Sequence, residues 1–155
     1  MSKTNAVREL EAANIKFETF SWECPEAMSG PEVAKILGQD PDIVFKTLVT
    51  VGKSGEHYVY AVPVCMSLDL KKAAEAVGEK SIAMIKAKEL LPLTGYVHGG
   101  CSPVGMKKQF KTVLDESAEL YDFIIVSGGR LGYQIKISPA DLARVIKLSY
   151  ADITA

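Results

Sequence analysis

Apolar residues recur along this chain in two rhythms, one close to 3.6 residues and one close to 2, and the two trade places from end to end. Over residues 4–14, Val7, Leu10 and Ala13, followed by Ile15, fall near one stripe and predict a short amphipathic helix that stops at Asn14. Residues 16–22, KFETFSW, are rich in aromatics and predict a strand. Ser29-Gly-Pro-Glu32 then reads as a helix start: Ser29 can cap, Pro31 suits the first turn and Glu32 completes a capping box. Val33, Ile36 and Leu37 give that helix its apolar face and Gly38 ends it. Asp40-Pro41-Asp42 is turn material.

VFKTLVTV, residues 44–51, is the strongest strand pattern in the first half, and residues 57–64 carry a second one. Gly52-Lys-Ser-Gly55 between them predicts a β-hairpin. A helix opens at Asp69 and closes at Gly78, a short strand covers residues 82–84, and a brief helix over 86–91 is stopped by Pro92. Further strands are expected over 112–114, 123–126 and 133–137, with Ser127-Gly-Gly129 as a turn. Ser138-Pro-Ala-Asp141 repeats the capping signature and opens a last helix through Ile146. Strands and helices alternate without repeat, linker or shift in composition, which predicts one α/β domain with a mixed sheet over residues 1–155.

Composition narrows the class. The chain has 155 residues, 48% of them hydrophobic and 24% charged, as in an ordinary globular domain. Its 18 basic and 19 acidic side chains give a net charge of -1, so no global field draws it to nucleic acid and any such partner meets a local patch. The three cysteines, Cys24, Cys65 and Cys101, are odd in number and far apart, which fits reduced thiols in a cytoplasmic protein. The N-terminal segment is charged throughout and lacks the apolar run of a signal peptide, and no stretch has the length of a membrane span.

Four features could carry chemistry. Lys46 sits inside an apolar strand, where a lysine either snorkels to a solvated edge or serves a site. Residues 94–105, TGYVHGGCSPVG, hold four glycines and a proline in twelve positions. Such a loop is either a demanding turn or a place where main-chain N–H groups meet an oxyanion. It has neither a P-loop nor a dinucleotide fingerprint. His98 and Cys101 lie three apart within it, as bland loop residues, a nucleophile pair or half a zinc site. Lys107, Lys108 and Lys111, with Lys71 and Lys72, form a solvated face or a modest phosphate-contact patch.

In combination, FKTLV (45–49), LDLKKAAEAVG (68–78), TGYVHGGCSPVG (94–105) and VSGGRLGYQI (126–135) resemble the YbaK/EbsC family, free-standing relatives of the editing domain of bacterial prolyl-tRNA synthetases. The resemblance runs from about residue 3 to residue 150. It implies that family's α/β fold, a mixed central sheet, partly barrel-like, flanked by helices. It implies an aminoacyl-tRNA deacylase acting on the acceptor end of mischarged tRNA, Cys-tRNA(Pro) first, without metal or cofactor, with prolyl-tRNA synthetase as a further partner. The alternatives are a deacylase for another small amino acid, such as Ala-tRNA(Pro), and a non-catalytic tRNA- or nucleotide-binding module. By motif match, Lys46, Gly99 and Gly100 become the catalytic group. Phe20, Thr47, Thr94, Gly95, Tyr96, Ser102, Pro103, Ser127, Gly128, Gly129 and Gln134 become substrate-binding. The chain departs from the cysteine-specific pattern at Phe20 and Trp22, where some members carry tyrosine, and near Gln134, where some carry an acid.

Overall fold

A computed structural model describes residues 3–24, 26 and 28–155. Its helices start and stop where local chemistry dictates. Helix α1 (Asn5–Ala12) is capped by Thr4, whose hydroxyl accepts from Val7 N–H. It ends where Asn14 adopts a positive φ of 57°. In α2 (Gly30–Leu37) Ser29 accepts from Glu32 N–H and donates its own hydroxyl to the Glu32 carboxylate. Gly38 ends that helix in the left-handed region. The buried face of α2 is Val33 and Ala34, whereas Ile36 is 65% exposed, so the expected apolar face is rotated by one position. Helix α3 (Leu70–Val77) is capped by Asp69 and ended by Gly78, as expected.

Eight strands are present among the described residues: β1 (Glu18–Ser21), β2 (Phe45–Gly52), β3 (His57–Pro63), β4 (Ile82–Met84), β5 (Lys111–Asp115), β6 (Ile124–Ser127), β7 (Tyr133–Ile137) and β8 (Leu148–Ala151). They form a five-stranded sheet in the order β4-β2-β3-β5-β8 and a three-stranded antiparallel sheet in the order β1-β7-β6. The expected single central sheet is thus two, joined by a parallel bridge between Val44 and Ile125. The larger sheet is mixed, because β3–β5 and β5–β8 pair in parallel while β2 pairs antiparallel with β3 and β4. It does not close into a barrel.

β3 is buried on both faces, which is why YVYAV reads as a continuous apolar run. One face carries Tyr60 and Val62 against Ala73 and Ala74 of α3, with the Tyr60 hydroxyl donating to Ala73 C=O at 2.8 Å. The other face carries Phe45, Ala61 and Leu114 against Leu10 of α1 and Ile124, Ile135 and Ile137 of the smaller sheet.

Three expectations fail. Pro92 does not stop a helix: a 3-10 turn (Ala87–Glu89) leads into α4 (Leu90–Thr94), and Pro92 falls in its first turn, where a missing N–H breaks no bond. Helix α5 (Pro139–Leu142) stops well before Ile146, and Ser138 makes no side-chain capping bond. β8 and the 3-10 turn Glu116–Leu120 had no expected counterpart. The SGG turn is part of a longer connection, residues 128–132, closed by Gly128 N–H donating to Tyr133 C=O at 2.9 Å.

Candidate active site

β4 is only three residues long, and that brevity makes the site. It pairs with β2 at Thr50–Gly52, and the Val44–Ile125 bridge ties the other end of β2 to β6. Between those points Lys46, Thr47 and Leu48 have a strand on one side only. The pleat decides what they present to the open side. Val44 C=O accepts from Val64 N–H, so even-numbered residues turn their main chain toward β3. Val49 C=O accepts from Ile85 N–H on the opposite side. The main-chain N–H and C=O of Thr47 therefore face the open edge.

A cavity of about 560 Å³ fills this gap, the size of a small-molecule site. Phe45–Val49 form its floor, and Ser29, Gly30, Pro31 and Val33 of α2 form one wall. Ile85, Lys86 and Leu90 form another, with His98, Gly99 and Cys101 from the glycine-rich loop. Ser127, Tyr133 and Gln134 come from the smaller sheet, with Ser127 and Gln134 directly opposed across β6 and β7.

The lining contains no aspartate or glutamate among the described residues; its titratable groups are Lys46, Lys86, His98, Cys101 and Tyr133. The site is thus built for negative charge and offers no carboxylate as general base. Lys46 is half-buried and has no carboxylate within ion-pair distance among the described residues. With no protein carboxylate beside it, that ammonium is left to solvent or to a bound anion. The Thr47 hydroxyl points the same way: Oγ1 is buried without a hydrogen-bond partner.

Of the residues singled out in sequence, Lys46, Thr47, His98, Gly99, Cys101, Ser127 and Gln134 come together in the cavity, with Trp22. The rest stand behind it. Phe20 lies opposite Gln134 in β1 but packs with Ala34, Val44, Val64 and Ile125. Thr94 accepts from Tyr96 N–H, and Gly95 ends α4 at a φ of 84°. The Tyr96 hydroxyl donates to Val104 C=O at 2.6 Å, and buried Ser102 accepts from Val104 N–H. These bonds close the loop on itself and hold only His98, Gly99 and Cys101 toward the cavity. Pro103 lines a small depression elsewhere. Gly128 C=O accepts from the Thr4 hydroxyl at 2.6 Å, anchoring the α1 cap to the SGG connection, and Gly129 N–H donates to Ser127 Oγ. Lys72 is occupied by Asp152 and by Thr154 C=O, which removes it from any phosphate patch. Trp22, noted in sequence only as a departure from the cysteine-specific pattern, and Tyr133 of the VSGGRLGYQI motif also line the cavity, whereas Met28 and Lys86 reach it through tertiary packing without a sequence signal that marks them.

Cys101 lines the cavity but is poorly suited to attack. Burial pushes its thiol up to about 12, far from the thiolate that attack requires. No three His, Cys, Asp or Glu side chains converge as metal ligands among the described residues. Gly100 has a packing role instead. A Cβ there would stand 2.8 Å from Arg130 Cα and 2.9 Å from its carbonyl carbon. Gly100→Ala is expected to destabilise the protein by about 1–3 kcal/mol and to displace the loop, lowering activity. Cys101→Ala is expected to stay within about twofold of wild-type turnover, because its thiol is protonated and unused. Thermal unfolding and initial rates on both variants check the pair; a dead Cys101→Ala would point to a cysteine nucleophile.

The family described as aminoacyl-tRNA editing domain matches residues 24–145. The chain is 43% identical over 154 residues to EbsC of Enterococcus faecalis, covering 98% of this chain and 93% of that one. That relative's name assigns it, provisionally, as a Cys-tRNA(Pro)/Cys-tRNA(Cys) deacylase. A solved structure described provisionally as a trans-editing enzyme for prolyl tRNA synthetase superposes with a TM-score of 0.83 at 26% identity, over 100% of this chain and 99% of the other. The hypothetical protein APE2540 shares the fold at a TM-score of 0.88 and 23% identity, over 97% and 99% of the two chains.

Proposed function

The chain belongs to the aminoacyl-tRNA editing domain family, and from that premise we propose that it works as one unit that deacylates mischarged tRNA in the cytoplasm, Cys-tRNA(Pro) before others. The observation that carries the reading is a cavity whose lining, among the described residues, holds no carboxylate, and into which the open edge of β2 brings Lys46, without an ion pair among those residues, and the unpartnered Thr47 hydroxyl.

The chemistry asks little of such a site. An aminoacyl ester is already activated, so positioning and charge stabilisation supply most of the catalysis. With a cysteinyl ester, the substrate's own sulfur attacks the ester carbonyl carbon. Negative charge then grows on the carbonyl oxygen, where the Lys46 ammonium, and main-chain N–H groups near Gly99, can meet it. The bond to the ribose oxygen breaks, the proton lost from the thiol ends on that oxygen, and the amino acid leaves as a cyclic thiolactone. No protein nucleophile and no metal takes part. In this reading Thr47 Oγ1 and the main chain of Thr47 hold the aminoacyl group, and the exposed Lys86 meets a phosphate; the unpartnered Oγ1 and the open edge of β2 support it.

With a net charge of -1 the chain has little general attraction for tRNA. We assign the remaining tRNA contacts to a partner, prolyl-tRNA synthetase, in keeping with the solved relative described for that enzyme. The test is deacylation of a panel of aminoacyl-tRNAs, with and without that synthetase and with a chelator. Release from Cys-tRNA(Pro) that the chelator leaves intact supports the reading. Binding of tRNA with no release from any member of the panel would replace it with a non-catalytic module.

A further inference from the structure

Gln39 lies outside the cavity and has no role in the scheme above, yet its side chain is held against the site. Its Nε2 donates to Oε1 of Gln134 at 2.7 Å, a bond between residues 95 apart in the chain. Gln134 is 7% exposed and lines the cavity. Gln39 holds the oxygen of that amide, whereas its Nε2–H₂ makes no hydrogen bond among the described residues and is the donor left over at the cavity.

Two further facts bear on Gln39. Its own Oε1 is buried without a partner. An apolar side chain would fill the space without leaving an acceptor unpaired, so packing does not explain a glutamine here. Its main chain is also fixed: Gln39 N–H donates to Ala34 C=O at 2.8 Å, just after Gly38 turns through a φ of 67°. The residue therefore latches the end of α2, whose first turn walls the cavity, to β7, the strand that carries Gln134.

We propose that Gln39 is a positioning residue for substrate selection: its hydrogen bond fixes the Gln134 amide so that a donor, not an acceptor, meets the side chain of the bound amino acid. The inference rests on the deacylase reading. A donor at that point favours a side chain that accepts a hydrogen bond or carries negative charge, such as a cysteine sulfur during attack, and is indifferent to the methyl of alanine.

The test replaces the latch in two ways and is run at pH 8. Q39E puts an acceptor opposite Gln134 Oε1, so the amide turns over, donates to the new carboxylate and presents its oxygen to the cavity. Q39M keeps length and bulk but lets the amide swing freely. The Cys-tRNA(Pro) rate is expected to fall about tenfold in Q39E and a few-fold in Q39M, with the Ala-tRNA(Pro) rate unchanged within twofold in both. Side-chain amide NMR gives a readout that needs no activity: the Gln134 NH₂ protons should exchange with water more slowly in Q39E than in wild type. Equal losses on both substrates would show a merely structural residue and overturn the proposal. So would an unchanged rate ratio with an unchanged Gln134 NH₂ signal. If Q39E does not fold, Q39M decides by the same ratio. Should the wild type deacylate nothing, the deacylase reading fails, and with it the selection role; the NMR comparison would then report only on the latch.

Discussion

Lys46→Ala is expected to lower the rate of Cys-tRNA(Pro) deacylation by about 10²–10³-fold, the usual loss when a preorganised charge-stabilising group is removed. The fold should survive. Lys46 is half-buried, makes no ion pair among the described residues and faces a cavity, so its removal leaves no partner unpaired. Thermal stability should stay level. Lys46→Arg keeps the charge on a longer, planar group and is expected to recover only part of the rate, because position as well as charge is used. The checks are single-turnover deacylation and a melting curve on the same preparations. Wild-type turnover by a folded Lys46→Ala protein would remove the lysine from the mechanism.

Why the sequence alone left Lys46 undecided is visible in the sheet. Alternation along VFKTLVTV marks a strand, but not that the strand loses its neighbour for three residues. That follows from the length of β4 and the Val44–Ile125 bridge, both contacts remote in sequence. Elements with local punctuation were legible: Asp69 and Gly78 bracket α3, Ser29 and Gly38 bracket α2, and Gly52–Gly55 turns the β2–β3 hairpin. Elements without it were not. β8 is only four residues long, with no turn residues to set it off from the end of the expected preceding helix, and its parallel partner β5 lies more than thirty residues away.

The glycine-rich loop was legible as unusual but not in its division of labour. Spacing cannot show that Tyr96, Ser102 and Thr94 turn inward to bond the loop to itself, leaving only His98, Gly99 and Cys101 at the cavity. The resemblance placed Thr94, Gly95, Tyr96, Gly99, Gly100, Ser102 and Pro103 at the substrate, whereas of these the structure lines the cavity with Gly99, beside His98 and Cys101, and leaves the others as the scaffold that shapes it. Gln39 had no sequence signal at all, since its importance lies in a hydrogen bond across 95 residues.

The second large effect concerns the substrate. Cys-tRNA(Pro) is expected to be cleared at least about 10²-fold faster than Ser-tRNA(Pro) or Ala-tRNA(Pro) at pH 7, since a thiol is a few per cent ionised there and a hydroxyl hardly at all. The cavity sharpens this contrast. Among the described residues it supplies no carboxylate to activate water, and burial pushes the Cys101 thiol up to about 12, away from the reactive thiolate. The reacting group must therefore come with the substrate. The pH dependence follows with a definite sign: the enzymatic rate on Cys-tRNA(Pro), after subtracting spontaneous hydrolysis, should rise with pH and level off near the ordinary thiol value of about 8.5. Chain-derived cation stabilisation would shift that plateau lower, because an ammonium near the sulfur favours its ionised form. S-methylcysteinyl-tRNA(Pro) is the decisive control. It fills the site at least as well as cysteine but has no ionisable sulfur, so its rate should fall to the alanine level. Initial rates on the four substrates, with trapping of the thiolactone, make the comparison. Equal rates on the alanyl and cysteinyl substrates, or rapid release of S-methylcysteine, would mean that the Lys46 cavity activates water instead, and that the amino acid it clears is chosen by fit to the cavity and not by its own chemistry.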